Sequence, residues 1–494
     1  MVLRHNRWMM SRMRFSSRLA APLLAALLTT AASSAMAQVQ VQSLAPPDLF
    51  STPAGKSDLG ADLWKDTAPD IFRDVLPKLA AKPLSPAFAE LARKVLATGA
   101  NAPSAVGNEP DMGAARALGL LALGDAAGAG LVLDRAPGLA GSASLSLAAA
   151  EAALIKGDDD KACGIGDALT VDRAAGYWLR LRAFCQARAG QTDAAQLTFS
   201  LAQQQTKDAD YTRLMTAVLN GTPPGAANLR NGINYALSRK LGLALAPAMG
   251  GASPAIKRAL ASTSADGLDL SAAQTANLTA LRQAKTLIAF VDAAQAAKGA
   301  IFSLAQANAP LEDPVLFARA ALAADDLPAA QLIRSRLVQD QIPGATAADL
   351  ALLDAMISAA SGKADSVTLS QLIERGAQGG AKSPAQPAAL LLASLGGAMG
   401  PEERGQFAGF DAGKSTASAA RLTLLEDAAV AGRKGEAALL ALSIAADSGA
   451  AGPTAVDRAR IAHGLARAGL AADARAVVVE GLLALTLPLA LPTK

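Results

Sequence analysis

Three glycines at equal intervals constrain the fold of this chain most strongly. Gly124, Gly157 and Gly190 stand 33 residues apart, and each separates two segments rich in alanine and leucine. Similar turns recur further along the chain, at Asp325, Gly362, Gly397, Gly432 and Gly469. A fixed period in this range is typical of stacked helix–turn–helix units. We therefore predict an all-α fold, a superhelix of antiparallel helix pairs with a period of about 33–37 residues.

The first 37 residues have the three parts of a secretory signal peptide. Five arginines and no acidic residue accompany an apolar stretch over residues 19–32. Ala35 and Ala37 then form a cleavage site of two small residues around one intervening residue. The apolar stretch is shorter than the roughly 20 residues that span a bilayer. We expect export to a bacterial periplasm with cleavage, and the alternative is an uncleaved N-terminal anchor.

Removal of the signal peptide changes the charge balance. The whole chain has 46 basic and 42 acidic residues, and the loss of five arginines leaves 41 basic residues against 42 acidic ones. Nucleic acids and anionic membrane surfaces both attract clustered lysine and arginine. A near-neutral body therefore argues against a nucleic-acid partner and a polybasic membrane patch. No later apolar run is predicted to form a stable transmembrane segment.

The chain contains two cysteines, Cys163 and Cys185. An even pair in an oxidising compartment is a disulfide candidate. Cys163 begins the helix after the Gly157 turn, and Cys185 lies late in the next helix. At about 1.5 Å of rise per residue, the two positions return to similar heights on neighbouring antiparallel helices. We predict a Cys163–Cys185 disulfide, and the alternative is a pair of buried thiols.

The most regular unit runs from Tyr177 to Gln203 and divides into two amphipathic helices around Gly190. Its pattern resembles the tetratricopeptide (TPR) repeat at Trp178, Leu181, Ala195, Phe199 and Ala202. It departs from the TPR pattern at Arg182 and Cys185, where glycine and tyrosine are expected. The resemblance covers this unit well and the other periodic units loosely, and it implies a TPR-like superhelix.

Composition and spacing divide the chain into seven segments. They are a signal peptide (1–37), a flexible leader (38–60), N-terminal helices and a linker (61–110), TPR-like repeats (111–220), an irregular helical segment (221–310), a second repeat block (311–485) and a C-terminal tail (486–494). A helix is predicted from Pro86 to Ala97 with Ser85 as its N-cap. The apolar stretch at 482–491 is expected either to fold back on the last repeat or to dock on a partner or a membrane.

Residues that could carry catalysis or bind a metal are few. His463 is the one histidine after the signal peptide, and it lies within a helical repeat. The loop Gly409–Ser415 imitates a phosphate loop, but three residues instead of four separate its glycines. The acidic runs Asp158–Asp160 and Glu402–Glu403 are predicted to stabilise helix N-termini. We therefore expect no enzymatic activity, no cofactor and no metal site.

Together these features favour an exported, non-catalytic scaffold or adaptor that holds an envelope protein or peptide on a concave surface of helix faces. Two alternatives stay open. One is an accessory or helical module of a peptidoglycan-processing enzyme, because the helical part is broadly similar to that of soluble lytic transglycosylases. The other is a surface-attached structural protein that uses the apolar tail. Four aromatic residues are expected to pack around the disulfide instead of binding a partner: Tyr177, Trp178, Phe184 and Phe199.

Overall fold

The fold is built from helices joined by short turns. A computed structural model describes residues 48–104, 106–261, 270–339, 341–342, 345–362, 364–380 and 383–487. Every regular element within these ranges is helical, which confirms the all-α prediction. All described residues belong to one structural unit.

The described part of the first half of the chain contains ten α-helices, with a short 3-10 helix at Leu139–Gly141 between the fourth and fifth. They are α1 (Pro69–Ala81), α2 (Pro86–Ala97), α3 (Pro110–Ala122), α4 (Ala126–Leu133), α5 (Ala143–Lys156), α6 (Asp159–Ala168), α7 (Gly176–Arg188), α8 (Thr192–Gln205), α9 (Ala209–Asn220) and α10 (Gly232–Lys240). Helix α2 has the bounds that the sequence predicted, Pro86 and Ala97.

The second half continues in the same way, with 3-10 helices at Ala246–Gly251 and Gly449–Ala451. Its α-helices are α11 (Pro254–Ala261), α12 (Leu270–Gln283), α13 (Leu287–Gln306), α14 (Pro314–Ala323), α15 (Leu327–Arg334), α16 (Ala347–Ser361), α17 (Ser366–Gly379), α18 (Ala385–Ala393), α19 (Pro401–Ala408), α20 (Ala419–Val430), α21 (Lys434–Ser448), α22 (Ala455–Arg467) and α23 (Ala471–Ala484).

The periodic turns fall between paired helices, as predicted. Gly124, Gly157 and Gly190 separate α3 from α4, α5 from α6 and α7 from α8, and their φ angles are +88°, +84° and +76°. Glycine adopts this left-handed conformation without the steric cost that a Cβ atom brings. At the turn predicted for Gly397, the left-handed residue is Gly396 instead. A Cβ on Gly397 would stand 2.6 Å from the Leu369 side chain, so Gly397 serves close packing against α17.

The two ends of the described chain pack against each other. Consecutive helices form contacting pairs such as α7–α8 and α22–α23, but α1 also packs on α21, and α2 packs on α21 and α23. The sequence analysis predicted that each helix pair stacks on the next along the chain, and it did not predict these contacts between the two ends. They arise because the N-terminal helices carry apolar residues on the sides that meet the C-terminal repeats, including Phe72 and Phe88, both fully buried.

Polar contacts reinforce the junction between the two ends. The Ala68 N–H, at the start of α1, donates to the Glu436 carboxylate at 2.8 Å. The Lys94 ammonium lies 2.9 Å from the Asp473 carboxylate. Closer to the surface, Lys82 and Arg421 both donate to Asp447 and hold the pKa of its carboxyl at about 2. Acidic side chains of α21 and α23 therefore meet backbone and basic groups of α1 and α2.

Residues 48–60, which the sequence analysis assigned to a flexible leader, are packed against the body. Leu49 and Phe50 are buried. The Phe50 ring lies 5.0 Å from the Phe72 ring in an edge-to-face arrangement, which is favourable for aromatic pairs. The prediction of a flexible leader was based on the overall composition of the segment. It missed this packing because two large apolar residues are enough to anchor a short segment that is otherwise polar.

Buried residues form two clusters. The larger cluster runs from Leu49 to Leu483 and includes residues of α1–α5, Tyr235 of α10 and the second half of the chain. The smaller one lies within residues 150–237, among α5–α10. We call α5–α10, residues 143–240, the stapled lobe, because the one disulfide of the chain lies in it.

One helix of the described residues, α13, is long and apolar enough to cross a membrane by length and composition, with a mean hydropathy of 1.4. Its buried residues include Phe290, Ala294, Ala297 and Ile301. The helix packs on α12, α14 and α15. These contacts are compatible with the expected lack of a stable transmembrane segment.

Candidate protein-binding site

Aromatic residues of α7 and α8 form the core of the stapled lobe. Trp178, Phe184 and Phe199 are buried there, and Tyr177 packs at the edge of the same cluster. The Tyr177 and Trp178 rings meet edge to face at 5.0 Å. The prediction that these four residues serve packing is therefore confirmed. Ala195 and Ala202 are also buried on the inner side of α8, so the small residues of the repeat pattern allow α7 and α8 to approach closely.

Cys163 of α6 and Cys185 of α7 are joined by a disulfide, with their Cα atoms 5.7 Å apart. The bond links two helices that already pack on each other. Disulfides persist in oxidising compartments and are rare in the reducing cytosol. The disulfide therefore favours an oxidising compartment for this protein.

Reducing this disulfide should destabilise the stapled lobe. The bond closes a loop with a sequence separation of 22 residues. The Cys163→Ser/Cys185→Ser double variant should therefore lower the free energy of unfolding by about 3 kcal/mol, because the unfolded chain gains the freedom of the open loop. Urea unfolding of the oxidised protein, the reduced protein and the double variant measures this change. Equal midpoints for all three would contradict the prediction.

The acidic run at the start of α6 is engaged by neighbouring helices. The Asp158 carboxylate accepts from the Lys161 N–H at 3.0 Å and caps α6. Asp159 pairs with Arg239 of α10 at 2.6 Å, and Asp160 pairs with Arg188, which lowers the pKa of the Asp160 carboxyl. The described residues contain no group of three or more side chains placed to hold a metal ion. The run therefore serves helix capping and ion pairing.

The inner side of the stapled lobe is filled by the chain itself. Helix α10 packs on α5, α7 and α9, and its first seven residues, 232–238, are buried. At its N-terminus, the Gly232 N–H donates to the Glu151 carboxylate at 2.7 Å, and the Tyr177 hydroxyl donates to the same carboxylate at 3.0 Å. Burial raises the pKa of the Glu151 carboxyl. The faces of α5, α7 and α9 that meet α10 are therefore occupied by the chain itself.

The outer side of the stapled lobe is open along α8. Leu197 and Leu201 are 67% and 44% exposed, although leucine is ordinarily a core residue. They lie four residues apart, so both occur on one face of the helix. The opposite face of α8, with Ala195, Phe199 and Ala202, is buried on the lobe core. The two leucines therefore form an apolar ridge that nothing in the described residues covers.

The surroundings of this ridge are polar and uncharged. Gln196, Ser200, Gln203 and Gln204 are exposed beside the two leucines. Charge enters only at the ends, with Asp193 in the first turn and Lys207 just beyond the last. We call the exposed residues of α8 the α8 outer face. An apolar centre with a polar rim is the usual composition of a protein-binding patch.

An open groove of about 430 Å³ lies beside α1, at the N-terminal end of the body. Trp64 and Thr67 line it, and both are buried. The Trp64 Nε1 and Thr67 Oγ1 atoms have no hydrogen-bond partner among the described residues. Its rim carries the charged side chains of Asp62, Lys65 and Asp66. Because the rim mixes both charges, the groove favours no charge class of ligand.

The other residues singled out in the sequence do not form a reactive site. His463 is exposed on α22. In the loop imitating a phosphate loop, the Ser415 hydroxyl donates to Asp457 at 2.5 Å. Glu403 accepts from the Ser370 hydroxyl and from the Gly400 N–H, and these hydrogen bonds lower the pKa of its carboxyl. Ser415 and Glu403 therefore form hydrogen bonds with neighbouring structural residues, and neither of them forms one with His463.

Two terminal predictions fall partly or wholly outside the described residues. The cleavage residues Ala35 and Ala37 lie outside them. Of the apolar stretch 482–491, residues 482–487 are described: Leu482 and Leu483 are buried in α23, and Leu485 and Leu487 pack against the larger core cluster. For these two residues, the fold-back alternative therefore holds.

Sequence reasoning missed the α8 outer face and Glu151. The signal for Glu151 was an acid within the run from Ala148 to Leu154, where every other residue is apolar. The signal for the outer face was a pair of leucines out of phase with Ala195 and Phe199 in the same helix. Comparison of the chain with protein-family models, with curated proteins and with solved structures finds no match.

Proposed function

We propose that this protein is an exported, non-catalytic scaffold of the bacterial cell envelope and that it binds a protein partner through the α8 outer face. The signal-like residues 1–37 support export, and the disulfide supports an oxidising compartment such as the periplasm. The TPR-like pattern of α7 and α8 supports a role in protein binding, which stacked helical repeats commonly serve.

The exposed ridge of Leu197 and Leu201 carries this proposal. Each leucine side chain gains about 1.5–3 kcal/mol when it is moved from water into an apolar contact. The ridge stands on α8, which is held by the buried core of the lobe and, through α7, by the disulfide. A rigid helix loses little freedom on binding, so more of the contact energy appears as affinity. The expected partner surface is apolar at its centre and uncharged around it.

The test replaces both leucines of the ridge and compares the effect on binding with that of replacing two other exposed apolar residues. The Leu197→Gln/Leu201→Gln variant should bind more weakly, and the control is Val367→Gln/Val430→Gln, whose side chains are each 62% exposed. A photoreactive phenylalanine analogue at position 197, with position 367 as control, is first used in living cells to trap and identify the partner. Affinity is then measured with purified proteins.

We expect one discrete adduct from position 197 and none from position 367. The Leu197→Gln/Leu201→Gln variant should weaken the purified complex by roughly 30-fold or more, as loss of about 2 kcal/mol implies. The Val367→Gln/Val430→Gln control should change the dissociation constant less than about twofold. Equal affinities for the two double variants would overturn the proposal.

A further inference from the structure

We propose that the partner covering the α8 outer face is a second copy of this chain, packed with its own α8 antiparallel to the first. This inference rests on the proposed function, since it names the occupant of the same face. A two-fold interface requires a patch that is complementary to itself. The α8 outer face, together with Lys207 just beyond the helix, meets this requirement in its apolar residues, in its charges and in the direction of its helix.

The apolar ridge matches itself in the antiparallel arrangement. If the two-fold axis passes midway between the leucines, Leu197 of one subunit meets Leu201 of the partner subunit, and the reverse contact forms at the same time. The ridge lies at the middle of α8, which extends from Thr192 to Gln205. At about 1.5 Å per residue, this helix is roughly 20 Å long, so the contact continues on both sides of the leucines.

The charges at the ends of α8 also match in this arrangement. Asp193 lies four residues before Leu197, and Lys207 lies six residues after Leu201. Both side chains are exposed, and within the described residues neither forms an ion pair. Antiparallel packing places Asp193 opposite Gln205 of the partner subunit, two residues before the partner's Lys207, so the long lysine side chain extends toward the carboxylate on each side of the axis. Parallel packing would instead place like charges together, and it would align two helix dipoles unfavourably.

The middle of the face does not oppose the pairing. Gln196, Ser200, Gln203 and Gln204 carry no charge, so a second copy brings no repulsion into the contact. Two helices of this length bury less than the roughly 1,200 Å² of a standard stable interface. We therefore expect a weak dimer, which forms at high protein concentration and dissociates on dilution.

Charge exchange tests the antiparallel arrangement directly. Sedimentation equilibrium of the mature protein over a wide concentration range gives the dimer dissociation constant. Asp193→Lys and Lys207→Asp should each weaken the dimer by about 5–10-fold, because each change replaces two rim attractions with two repulsions. The double variant Asp193→Lys/Lys207→Asp should return to within about twofold of the original value. Leu197→Gln/Leu201→Gln should give a monomer at all concentrations. The circular dichroism and thermal unfolding of each variant check that the lobe stays folded.

A monomeric original protein, or a double charge variant that does not recover the dimer, would overturn the inference. Crosslinking from position 197 separates this failure from failure of the proposed function. An adduct with twice the mass of the chain supports the second copy. An adduct with a different protein alone leaves the proposed function standing and excludes the inference. No adduct, together with equal affinities for the ridge and control variants, would remove both.

Discussion

Replacing Glu480 by alanine should lower the free energy of unfolding by about 3–5 kcal/mol, because it leaves the charge of Arg458 buried without its partner. Arg458 and Glu480 are only 2% and 4% exposed, and they form an ion pair between α22 and α23. The same carboxylate accepts from the Ser85 hydroxyl at 2.6 Å and from the Ala87 N–H at the start of α2. The substitution therefore removes a counter-charge and a helix cap at once.

The control for this prediction is Asp447→Ala. Asp447 also links an N-terminal helix to the C-terminal repeats, through Lys82, but this pair is about two-fifths exposed. Asp447 also pairs with Arg421, and exposed pairs contribute about 1 kcal/mol or less each, so Asp447→Ala should cost less than Glu480→Ala. The double variant Arg458→Met/Glu480→Leu should be more stable than Glu480→Ala, because no unpaired charge stays buried. Urea unfolding measures all three. Similar losses for Glu480→Ala and Asp447→Ala would show that burial of the pair is not the cause.

Replacing Arg116 by methionine should cost about 3–5 kcal/mol, because four backbone carbonyls lose their donor. The Arg116 side chain is 1% exposed, and its guanidinium donates to carbonyl oxygens at distances from 2.8 to 3.1 Å. The acceptors are the carbonyls of Leu49, Thr52, Leu96 and Thr98. Burial lowers the pKa of Arg116 to about 10, so the side chain stays charged at neutral pH. One residue of α3 thus holds residues 48–52 against the end of α2.

Two comparisons identify the mechanism of the Arg116 effect. Arg116→Lys should also destabilise the protein, because a single ammonium group does not reach four acceptors that a planar guanidinium reaches. Arg135→Met, at an exposed arginine, should stay within about 0.5 kcal/mol of the original protein. Hydrogen exchange adds a local readout, since the Ala100 N–H donates to the Phe50 carbonyl. In Arg116→Met this amide should exchange faster. Unchanged protection there would show that Arg116 does not anchor the segment.

Helix capping illustrates what local sequence predicts and what it omits. Ser85 occupies the N-cap position of α2, as Ser85-Pro86 predicts, yet its side chain makes no capping hydrogen bond within α2. Its hydroxyl turns to Glu480, which takes over the capping of α2. Asp125, Asp158 and Asp326 cap their own helices, because an acceptor three residues before an amide lies within reach. A sequence therefore predicts a cap when the capping side chain lies within a few residues of the amide, and it does not predict a cap that comes from a distant helix.

The candidate site divides in the same way. The Cys163–Cys185 pair and the packing of Trp178, Phe184 and Phe199 followed from spacing, because helix rise and period place those residues together. The exposed ridge of α8 did not follow. A helix that lies between two neighbours buries two faces, so the leucines of α8 could also have been buried. Only the path of the chain shows that α8 lies at the edge of the lobe. The position of α10, which fills the inner side, was equally outside the reach of periodicity.

The sequence by itself determined the all-helical class, the turns at Gly124, Gly157 and Gly190, and the disulfide partners. Each depends on residues within about one repeat, where backbone preference and helix geometry act directly. The tertiary structure alone decided that the chain closes on itself, through pairs such as Ala68 with Glu436 and Ser85 with Glu480, which are 368 and 395 residues apart. Contacts across such separations leave no periodic pattern, because hydrophobic burial is non-directional and many pairings of similar helices satisfy it.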